Sequence, residues 1–338
     1  MKHSVVIGGA GFVGSWVVDE ILKDPNARVT IVDNLISSER SNISSDSRVT
    51  FIQGSAAEFS TLNKIEISID FIYQFACYHG NQNSISSPMD DLENGMKTTV
   101  VILEWMRINH RNARLIYASA GCALATKTWD TPYPTPEIEM TSLLHDTPYA
   151  ISKITGEMYC ILFGNIYGLD VIRLRFQNVF GPREILGAGT WRGTSETIWR
   201  NVTPTLIWKC LNNLPIEVTT KASRDFLYVE DLVESIVQLS IKGKRTEVYN
   251  LGSGKETFII DLARLILTQT ESKSSINISE PRQWDNSGRR VANIQKSLDN
   301  KVLNNLTSLS EGIAKTINWT KKNKDLIEYN ICKHDKYI

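Results

Sequence analysis

Three glycines separate an apolar segment from a helix-like segment at the start of the chain, and this arrangement limits the folds open to it. Gly8, Gly11 and Gly14 follow the apolar stretch Ser4–Ile7 with the spacing GxxGxxG. The first glycine permits a tight turn, the second lets backbone N–H groups approach a pyrophosphate, and the third allows helix and strand to pack closely. A helix that begins here adds partial positive charge at the same point. The segment therefore predicts a dinucleotide site.

A carboxylate stands at the end of the next apolar segment. The run VTIVDNL places Asp33 about twenty residues beyond the glycines, where a second strand of the same unit would end. Such a carboxylate accepts a hydrogen bond from a ribose 2′-hydroxyl and repels a 2′-phosphate. The two motifs together favour NAD over NADP.

Short β-rich runs alternate with segments of helical apolar spacing in the first half of the chain. The predicted strands are Ser4–Ile7, Arg28–Val32, Val49–Ile52, Phe71–Phe75, Leu115–Ala118 and Val171–Arg175, and the helical segments include Gly14–Lys23 and Asn94–Ile108. This alternation predicts βαβ units, a mostly parallel sheet and an α/β fold of the doubly wound Rossmann type.

The alternation weakens after about Asn178. We therefore expect a Rossmann domain over residues 1–178, joined by part of residues 225–255, and a smaller mixed α/β lobe over residues 179–338. Because ligands of doubly wound folds bind outside the carboxyl ends of the strands, we expect this lobe to cover that edge and bind the substrate.

Composition excludes several classes of protein. Hydrophobic residues make up 42% of the 338 residues and 37 basic residues balance 37 acidic ones, which excludes a disordered chain and shows no basic excess for a nucleic-acid partner. No apolar run reaches the roughly 18 residues of a membrane span, and the amino-terminal segment lacks the features of a signal peptide. The five cysteines form no CxxC pair and are odd in number, which disfavours a zinc site or a disulfide framework and favours a reducing, cytoplasmic location.

A tyrosine and a lysine four residues apart form the candidate catalytic pair. Tyr149 and Lys153 lie in TPYAISK, and on a helix this spacing places both side chains on one face. An ammonium beside a phenol favours the phenolate and lowers the tyrosine pKa from about 10. Such a tyrosine can take the proton of a substrate hydroxyl while a hydride leaves for a nicotinamide.

Together these motifs resemble those of the extended short-chain dehydrogenase/reductases, specifically the nucleotide-sugar epimerases and dehydratases. The resemblance spans nearly the whole chain and includes GGAGFVG, VDNL, YQFA, YASAGC, TPYAISKITGE, LRFQNVFGP, RDFLYVEDL and YNLGSG. It implies a bound NAD that cycles through NADH, a transient keto group on a nucleotide sugar, and a homodimer formed through a four-helix bundle whose helices start near Asn94 and Tyr149. The cofactor-binding residues are then Gly8, Gly11, Phe12, Val13, Gly14, Asp33, Asn34, Ser55, Ala56, Phe75, Ala76, Tyr149, Lys153 and Val179.

The segment after the fifth predicted strand departs from the family pattern. The family's Ser or Thr, which binds the sugar oxygen that is oxidised, is replaced by Ala120. The neighbouring Ser119 points to the opposite face of an extended strand. We keep Ser119 in the catalytic set because a shift of one residue in the alignment, or a local bend, would bring its hydroxyl to the sugar.

Cys122 is the fourth candidate catalytic residue. Dehydratases of the family usually carry Asp and Glu at the positions of Gly121 and Cys122, so their absence argues against dehydration. GDP-mannose 3,5-epimerase resembles this segment in using a cysteine as acid/base, and its GTWKGG resembles the GTWRG that contains Arg192. Arginine is a poor proton donor, so we expect Arg192 to bind an anion. A buried cysteine that only packs is the alternative for Cys122.

Several residues resemble those that bind the pyrophosphate of the substrate. Asn178 in FQNVFGP and Arg224 in SRDFLYVED match family positions, and one of Arg282, Arg289 and Arg290 matches a second arginine of the clamp. Arg282 and Arg290 are the two that we take as candidates. Guanidinium groups suit phosphate oxygens because they form paired, charge-assisted hydrogen bonds.

The leading hypothesis is an NAD-dependent nucleotide-sugar epimerase that transiently oxidises C4 of an NDP-hexose. Two alternatives use the same scaffold, namely 3,5-epimerisation and 4,6-dehydration. A third is a non-catalytic NAD-binding protein, which the alanine at position 120 would favour.

Overall fold

A seven-stranded sheet organises the first part of the chain. In this computed structural model, which describes residues 2–65, 67–78, 80–121, 134–137, 145–190, 198–280 and 288–334, its strands are β1 (Lys2–Ile7), β2 (Ala27–Asp33), β3 (Val49–Gln53), β4 (Phe71–Gln74), β5 (Arg114–Ala120), β6 (Asp170–Phe176) and β11 (Val248–Leu251). Their order is β11-β6-β5-β4-β1-β2-β3, and the pairs β1–β2, β1–β4, β2–β3 and β4–β5 are parallel. The six predicted strands are confirmed, and β1 and β2 are buried almost throughout, as strands covered on both faces must be.

Helices follow the strands in the order expected of βαβ units. They are α1 (Phe12–Leu22), α2 (Phe59–Leu62), α3 (Asn81–Ser86), α4 (Pro88–Asp91), α5 (Thr98–Asn109), α6 (Pro148–Tyr167), α7 (Val202–Leu211), α8 (Val229–Lys242), α9 (Ile259–Thr270), α10 (Gln295–Asp299), α11 (Leu309–Lys322) and α12 (Lys324–Cys332). The helix predicted over Asn94–Ile108 differs at its start, where a π-helical segment, Leu92–Lys97, precedes α5. Such wider turns interrupt the α-helical spacing and are common near functional sites. Within the described ranges, no helix combines the length and the hydropathy needed to cross a lipid bilayer.

Two units divide the chain. The first comprises residues 1–123, 147–175 and 233–249, and the second comprises residues 124–146, 176–232 and 250–338. In the first unit, α5 and α6 pack on the sheet around Trp105, Met106 and Tyr117, all of them almost fully buried. A Cβ at Gly156 would lie 2.0 Å from the Tyr117 hydroxyl, so only glycine lets α6 approach β5 this closely. That hydroxyl donates a hydrogen bond of 3.1 Å to the Lys153 carbonyl and thereby fixes α6 on the strand.

Short sheets and helices are mixed in the second unit. Parallel pairing joins β7 (Asn178–Phe180) to β10 (Phe226–Tyr228) and β8 (Ile216–Val218) to β13 (Ile276–Ile278). A three-stranded sheet has the order β12-β9-β14, formed by Thr257–Phe258, Ser223–Arg224 and Arg289–Arg290. A separate apolar cluster lies in this unit and consists of Ile185, Leu186, Ala188, Ile198, Trp208, Ile327 and Ile331.

Candidate functional site

The turn between β1 and α1 has no room for side chains. Gly8 has a φ of +83°, and a Cβ there would lie 2.7 Å from the Ala76 nitrogen. A Cβ at Gly14 would lie 2.1 Å from the Gly8 carbonyl oxygen. Gly11 is the N-cap residue of α1, and the first turn of this helix, which includes Phe12 and Val13, carries no acidic residue. The turn therefore has the backbone cradle and the uncompensated helix N-terminus that fit the pyrophosphate of NAD.

Asp33 closes this turn from the end of β2. Its carboxylate accepts hydrogen bonds from Ala10 N at 3.0 Å, Leu35 N at 2.9 Å and the Ser38 hydroxyl at 2.8 Å. Burial raises the pKa of Asp33, whereas these three hydrogen bonds lower it. A carboxylate offers about four lone-pair positions, so Asp33 keeps acceptor capacity for a ribose hydroxyl.

Further predicted cofactor residues of the first unit lie at the carboxyl ends of neighbouring strands. They are Asn34 after β2, Ser55 and Ala56 after β3, and Phe75 and Ala76 after β4. The N–H groups of Phe75 and Ala76 both donate to the Ile7 carbonyl, at 2.9 and 3.0 Å, which holds the end of β4 against the glycine turn. The sheet therefore brings these residues to one edge, while their individual contacts with NAD stay predictions.

Tyr149 and Lys153 lie on one face of α6. The Lys153 ammonium is 5.7 Å from the centroid of the Tyr149 ring and donates a 2.7 Å hydrogen bond to the Ala118 carbonyl of β5. Lys153 is buried, with 5% of its surface exposed, whereas Tyr149 is half-buried. A main-chain carbonyl therefore orients the ammonium beside the phenol, where its positive charge stabilises a phenolate.

Glu157 continues this face of α6 one turn beyond Lys153 and binds three side chains. It accepts a 2.5 Å hydrogen bond from Ser119, two bonds of 2.8 and 2.7 Å from Arg175, and one of 3.2 Å from Arg173. All four side chains are almost fully buried. The Ser119 hydroxyl is thus engaged inside the protein, and its action on a sugar stays a prediction that this contact disfavours. Helical spacing could have predicted Glu157 on this face, since it lies four residues after Lys153.

Ala120 ends β5 beside Ser119. The extended backbone directs the two side chains to opposite faces, so the hydroxyl bound to Glu157 cannot also occupy the position of Ala120. Three other predicted site residues, Cys122, Arg192 and Arg282, lie outside the described residues. Their roles stay predictions.

Two side chains that the sequence did not point to bind α6 next to the candidate pair. Asp91 accepts a 2.5 Å hydrogen bond from the Ser152 hydroxyl, and the Ser84 hydroxyl accepts a 3.0 Å bond from Tyr149 N. Burial raises the pKa of Asp91, against the opposing effects of the Ser152 bond and the Lys153 charge. The surrounding segment, NQNSISSPMDD, has the composition of an ordinary polar connection, so no sequence signal marked these contacts.

In the second unit, two of the predicted clamp arginines are cross-strand neighbours. Arg224 of β9 is paired with Arg290 of β14, and each has 8% of its surface exposed. One guanidinium nitrogen of Arg224 donates to the Gly288 carbonyl at 2.9 Å, and Arg290 lies 3.6 Å from the carboxylate of Asp146. Two adjacent positive charges suit a polyanion such as a pyrophosphate, which stays a prediction for this pair.

Two further predicted residues, among those of the second unit that the structure describes, lie on β7. Asn178 and Val179 are half-buried, and the Asn178 N–H donates to the Asp225 carbonyl at 2.9 Å. The Asp225 carboxylate accepts hydrogen bonds from the N–H groups of Ser253 and Gly254, at 2.7 and 3.0 Å. Asp225 therefore braces the turn that follows β11. On β7, Asn178 stays the predicted substrate ligand and Val179 a predicted cofactor contact.

A sequence model described as the NAD dependent epimerase/dehydratase family matches residues 4–252. The chain belongs to this family. The glycine turn and Asp33 are the parts of this family member that fit NAD, the cofactor of the family.

Known relatives include both epimerases and dehydratases. The crystal structure of the Bordetella bronchiseptica enzyme WbmF in complex with NAD+ and UDP is 38% identical, covers 100% of this chain and 97% of its own, and superimposes with a TM-score of 0.89. A putative UDP-glucose 4-epimerase of Methanocaldococcus jannaschii is 28% identical over 94% of this chain and 98% of its own. A trifunctional UDP-glucose 4,6-dehydratase/UDP-4-keto-6-deoxy-D-glucose 3,5-epimerase/UDP-4-keto-L-rhamnose-reductase of Arabidopsis thaliana is 27% identical over 96% of this chain, which spans only 48% of that protein.

Proposed function

We propose that this NAD-dependent family member is a nucleotide-sugar epimerase that transiently oxidises C4 of an NDP-hexose and reduces it with altered stereochemistry. The observation that carries the proposal is the position of the Lys153 ammonium, 5.7 Å from the Tyr149 ring on one face of α6. This pair provides a base for a sugar hydroxyl at β5, a strand of the same sheet whose β1 and β2 end at the residues that fit NAD. Bound NAD would accept a hydride at its nicotinamide and later return it.

Tyr149 has the role of proton acceptor and donor in this proposal. Its phenolate takes the proton of the 4-hydroxyl and returns it to the same oxygen after the keto sugar has turned over. Lys153 stabilises the phenolate, and the Ala118 carbonyl prevents the ammonium from swinging away, because it accepts a 2.7 Å hydrogen bond from it. The proton therefore moves between two oxygens, with no net redox change in the sugar.

The residues after β5 favour epimerisation over dehydration. Elimination of water from C5 and C6 needs an acid and a base close to the keto sugar. At the two positions where family dehydratases usually carry Asp and Glu, this chain has Gly121 and Cys122. Glycine supplies no proton donor, so the chain lacks half of the dehydratase pair.

A UDP-sugar is the first substrate to test. The WbmF structure contains UDP, and the name of the M. jannaschii relative contains UDP-glucose. The paired arginines of the second unit suit the pyrophosphate that all nucleotide sugars share, so they support the NDP class without selecting a base.

The proposal includes a homodimer formed through a four-helix bundle. One side of α6 exposes apolar side chains at helical spacing, namely Ile151, Met158, Leu162 and Ile166, which are between 47% and 67% exposed. Ile108, near the end of α5, is 57% exposed. A row of large apolar residues on one helix is unfavourable in water and is covered when a second copy packs its own α6 against it.

The experiment is incubation of the NAD-loaded protein with UDP-, GDP-, CDP- and dTDP-sugars in deuterated water, with products followed by proton NMR. Simple C4 epimerisation yields an isomer without deuterium on ring carbons, because the hydride returns from the cofactor. We expect Tyr149→Phe to abolish conversion, with Tyr159→Phe on the same helix as the matched control.

Three outcomes would contradict the proposal. Deuterium at C3 or C5 would indicate acid/base chemistry at a neighbouring carbon, with Cys122 as its first candidate. A 4-keto-6-deoxy product would indicate dehydration. Absence of any conversion, with NAD still bound, would favour the non-catalytic alternative.

A further inference from the structure

The first turn of α6 contains two residues whose main-chain N–H groups have no main-chain partner inside the helix. Thr147 is the N-cap residue, followed by Pro148, Tyr149 and Ala150. Proline has no N–H, so it leaves nothing unsatisfied at the first position. Tyr149 and Ala150 each present an N–H that must find an acceptor elsewhere.

Two hydroxyl groups accept these N–H groups. The Thr147 hydroxyl accepts from Ala150 N at 3.2 Å, which is ordinary N-capping. The Tyr149 N–H donates at 3.0 Å to Ser84, a residue of α3 that is 65 positions away in the chain. The main chain of the candidate catalytic tyrosine is therefore tied to a different segment, not only to its own helix.

Asn81 orients both hydroxyls. The Ser84 hydroxyl donates to the main-chain carbonyl of Asn81 at 2.8 Å. The Thr147 hydroxyl donates to the side-chain oxygen of Asn81 at 2.9 Å. A hydroxyl has one proton, so each donation to Asn81 turns the oxygen lone pairs toward α6. Ser84 and Thr147 are 0% and 2% exposed, which leaves little access for water to replace either bond.

The carboxyl end of β4 contacts the glycine turn. The Ala76 nitrogen, two residues after that strand, is the atom closest to a Cβ built on Gly8. The next helix along the chain is α3, which contains Asn81 and Ser84.

We propose that Ser84 and Asn81 are positioning residues that fix the Tyr149 phenol at the distance proton transfer requires. This inference rests on the proposed function of Tyr149. It predicts that loss of the Ser84 hydroxyl lowers kcat and leaves KM nearly unchanged, because neither residue belongs to the predicted substrate-binding set. A displacement of about 1 Å at a reacting group reduces turnover by up to about a hundredfold, so we expect kcat to fall by about tenfold or more.

The experiment compares Ser84→Ala with Ser86→Ala in the NAD-loaded protein. Ser86 is a matched control because it is also in α3, and its hydroxyl donates to the carbonyl three residues earlier, at 2.9 Å, but it is exposed. Ser84→Thr keeps the hydroxyl and is expected to restore most of the lost kcat. Asn81→Asp keeps the side-chain oxygen and is expected to exceed Asn81→Leu in kcat. Equal kcat in Ser84→Ala and Ser86→Ala would overturn the inference.

Amide hydrogen exchange separates a failure of this inference from a failure of the proposed function. We expect the Tyr149 amide to exchange at least tenfold faster in Ser84→Ala than in wild type, and at the wild-type rate in Ser86→Ala. Unchanged exchange in Ser84→Ala would overturn the inference whatever the activity. If the wild-type protein converts no nucleotide sugar, the proposed function fails and the catalytic part of this inference fails with it, while faster exchange would still establish Ser84 as the anchor of Tyr149.

Discussion

Ser119 donates a 2.5 Å hydrogen bond to Glu157, and the same carboxylate pairs with Arg175. The three side chains are 1–2% exposed, so the serine belongs to a buried charged cluster between β5, β6 and α6. The Ser119 hydroxyl is therefore already used inside the protein. The sequence predicts Ala120, which has no hydroxyl, at the family's catalytic position, so this pair of neighbours is the most informative place to test the chemistry.

Separate substitutions of Ser119 and Ala120 test this arrangement. We expect Ser119→Ala to lower the free energy of unfolding by about 1.5–3 kcal/mol, because a hydrogen bond to a buried charge is lost, and to leave kcat largely unchanged. Ala120→Ser is expected to raise kcat by about tenfold, because a donor would then face the sugar oxygen. Urea unfolding and the NMR assay measure the two effects. Loss of turnover in Ser119→Ala at unchanged stability would instead assign the hydroxyl to the sugar.

We expect Glu184 to make the free energy of unfolding depend on pH. Burial raises the pKa of Glu184 to about 8, although the charge of Arg200 and a hydrogen bond from Asn201 lower it. In the unfolded chain the pKa of a glutamate is about 4.3, and below that pH the stabilising effect of the neutral Glu184 carboxyl is complete. The effect is lost as pH rises through the pKa of Glu184 in the folded protein. Between these values the free energy of unfolding falls by up to roughly 1.4 kcal/mol per pH unit from this group.

Glu184→Gln tests this pH dependence, and Glu217→Gln is its control. Glu184→Gln is expected to flatten the pH dependence of urea unfolding between about pH 5 and 8. Glu217 is exposed on β8, so its replacement is expected to leave the slope as in wild type. An unchanged slope in Glu184→Gln would show that the carboxyl is ionised in the folded protein.

Gly14→Ala is expected to abolish NAD binding. The added methyl group would lie 2.1 Å from the Gly8 carbonyl oxygen, so the glycine turn would have to open and lose its cradle. Isothermal titration with NAD measures the loss. Gly95→Ala is the control, because that glycine also lies in a helical segment but the atom nearest to a Cβ there is Ser152 Cβ at 3.4 Å, an ordinary contact. NAD binding by Gly14→Ala with wild-type affinity would contradict the predicted site.

The exposed apolar side chains on one side of α6 predict a dimer, and a single charge introduced among them is expected to disrupt it. We expect wild-type protein to sediment as a dimer and Ile166→Glu to sediment as a monomer, since a buried unpaired carboxylate opposes association. Ile166 is 67% exposed, and Tyr329 of α12, also 67% exposed, provides the control Tyr329→Glu. A monomeric wild-type protein, or a dimer that only Tyr329→Glu disrupts, would place the interface elsewhere or exclude it.

Several features could be predicted because their causes are local. Gly8, Gly11 and Gly14 lie within one turn and the start of one helix, where steric limits act between residues close in sequence. Apolar runs identified the six strands of the first half, and the four-residue spacing placed Tyr149 and Lys153 on one helical face. The seventh strand of this sheet begins at residue 248, far in sequence from the other six. For this reason the sequence predicted only that part of residues 225–255 joins the Rossmann domain.

Other features depend on contacts between residues far apart in the chain. Ser119 and Glu157 are 38 positions apart, and Ser84 and Tyr149 are 65 apart. A serine in a polar connection has many possible acceptors, and sequence gives no rule for choosing among them. The sequence by itself determined the sheet, the glycine turn and the Tyr149–Lys153 face, because periodicity and chain stiffness act over a few residues. Only the tertiary structure decided which hydroxyls anchor Tyr149 and which one Glu157 binds, because burial removes water as a competing partner and leaves each polar group the neighbours that packing provides.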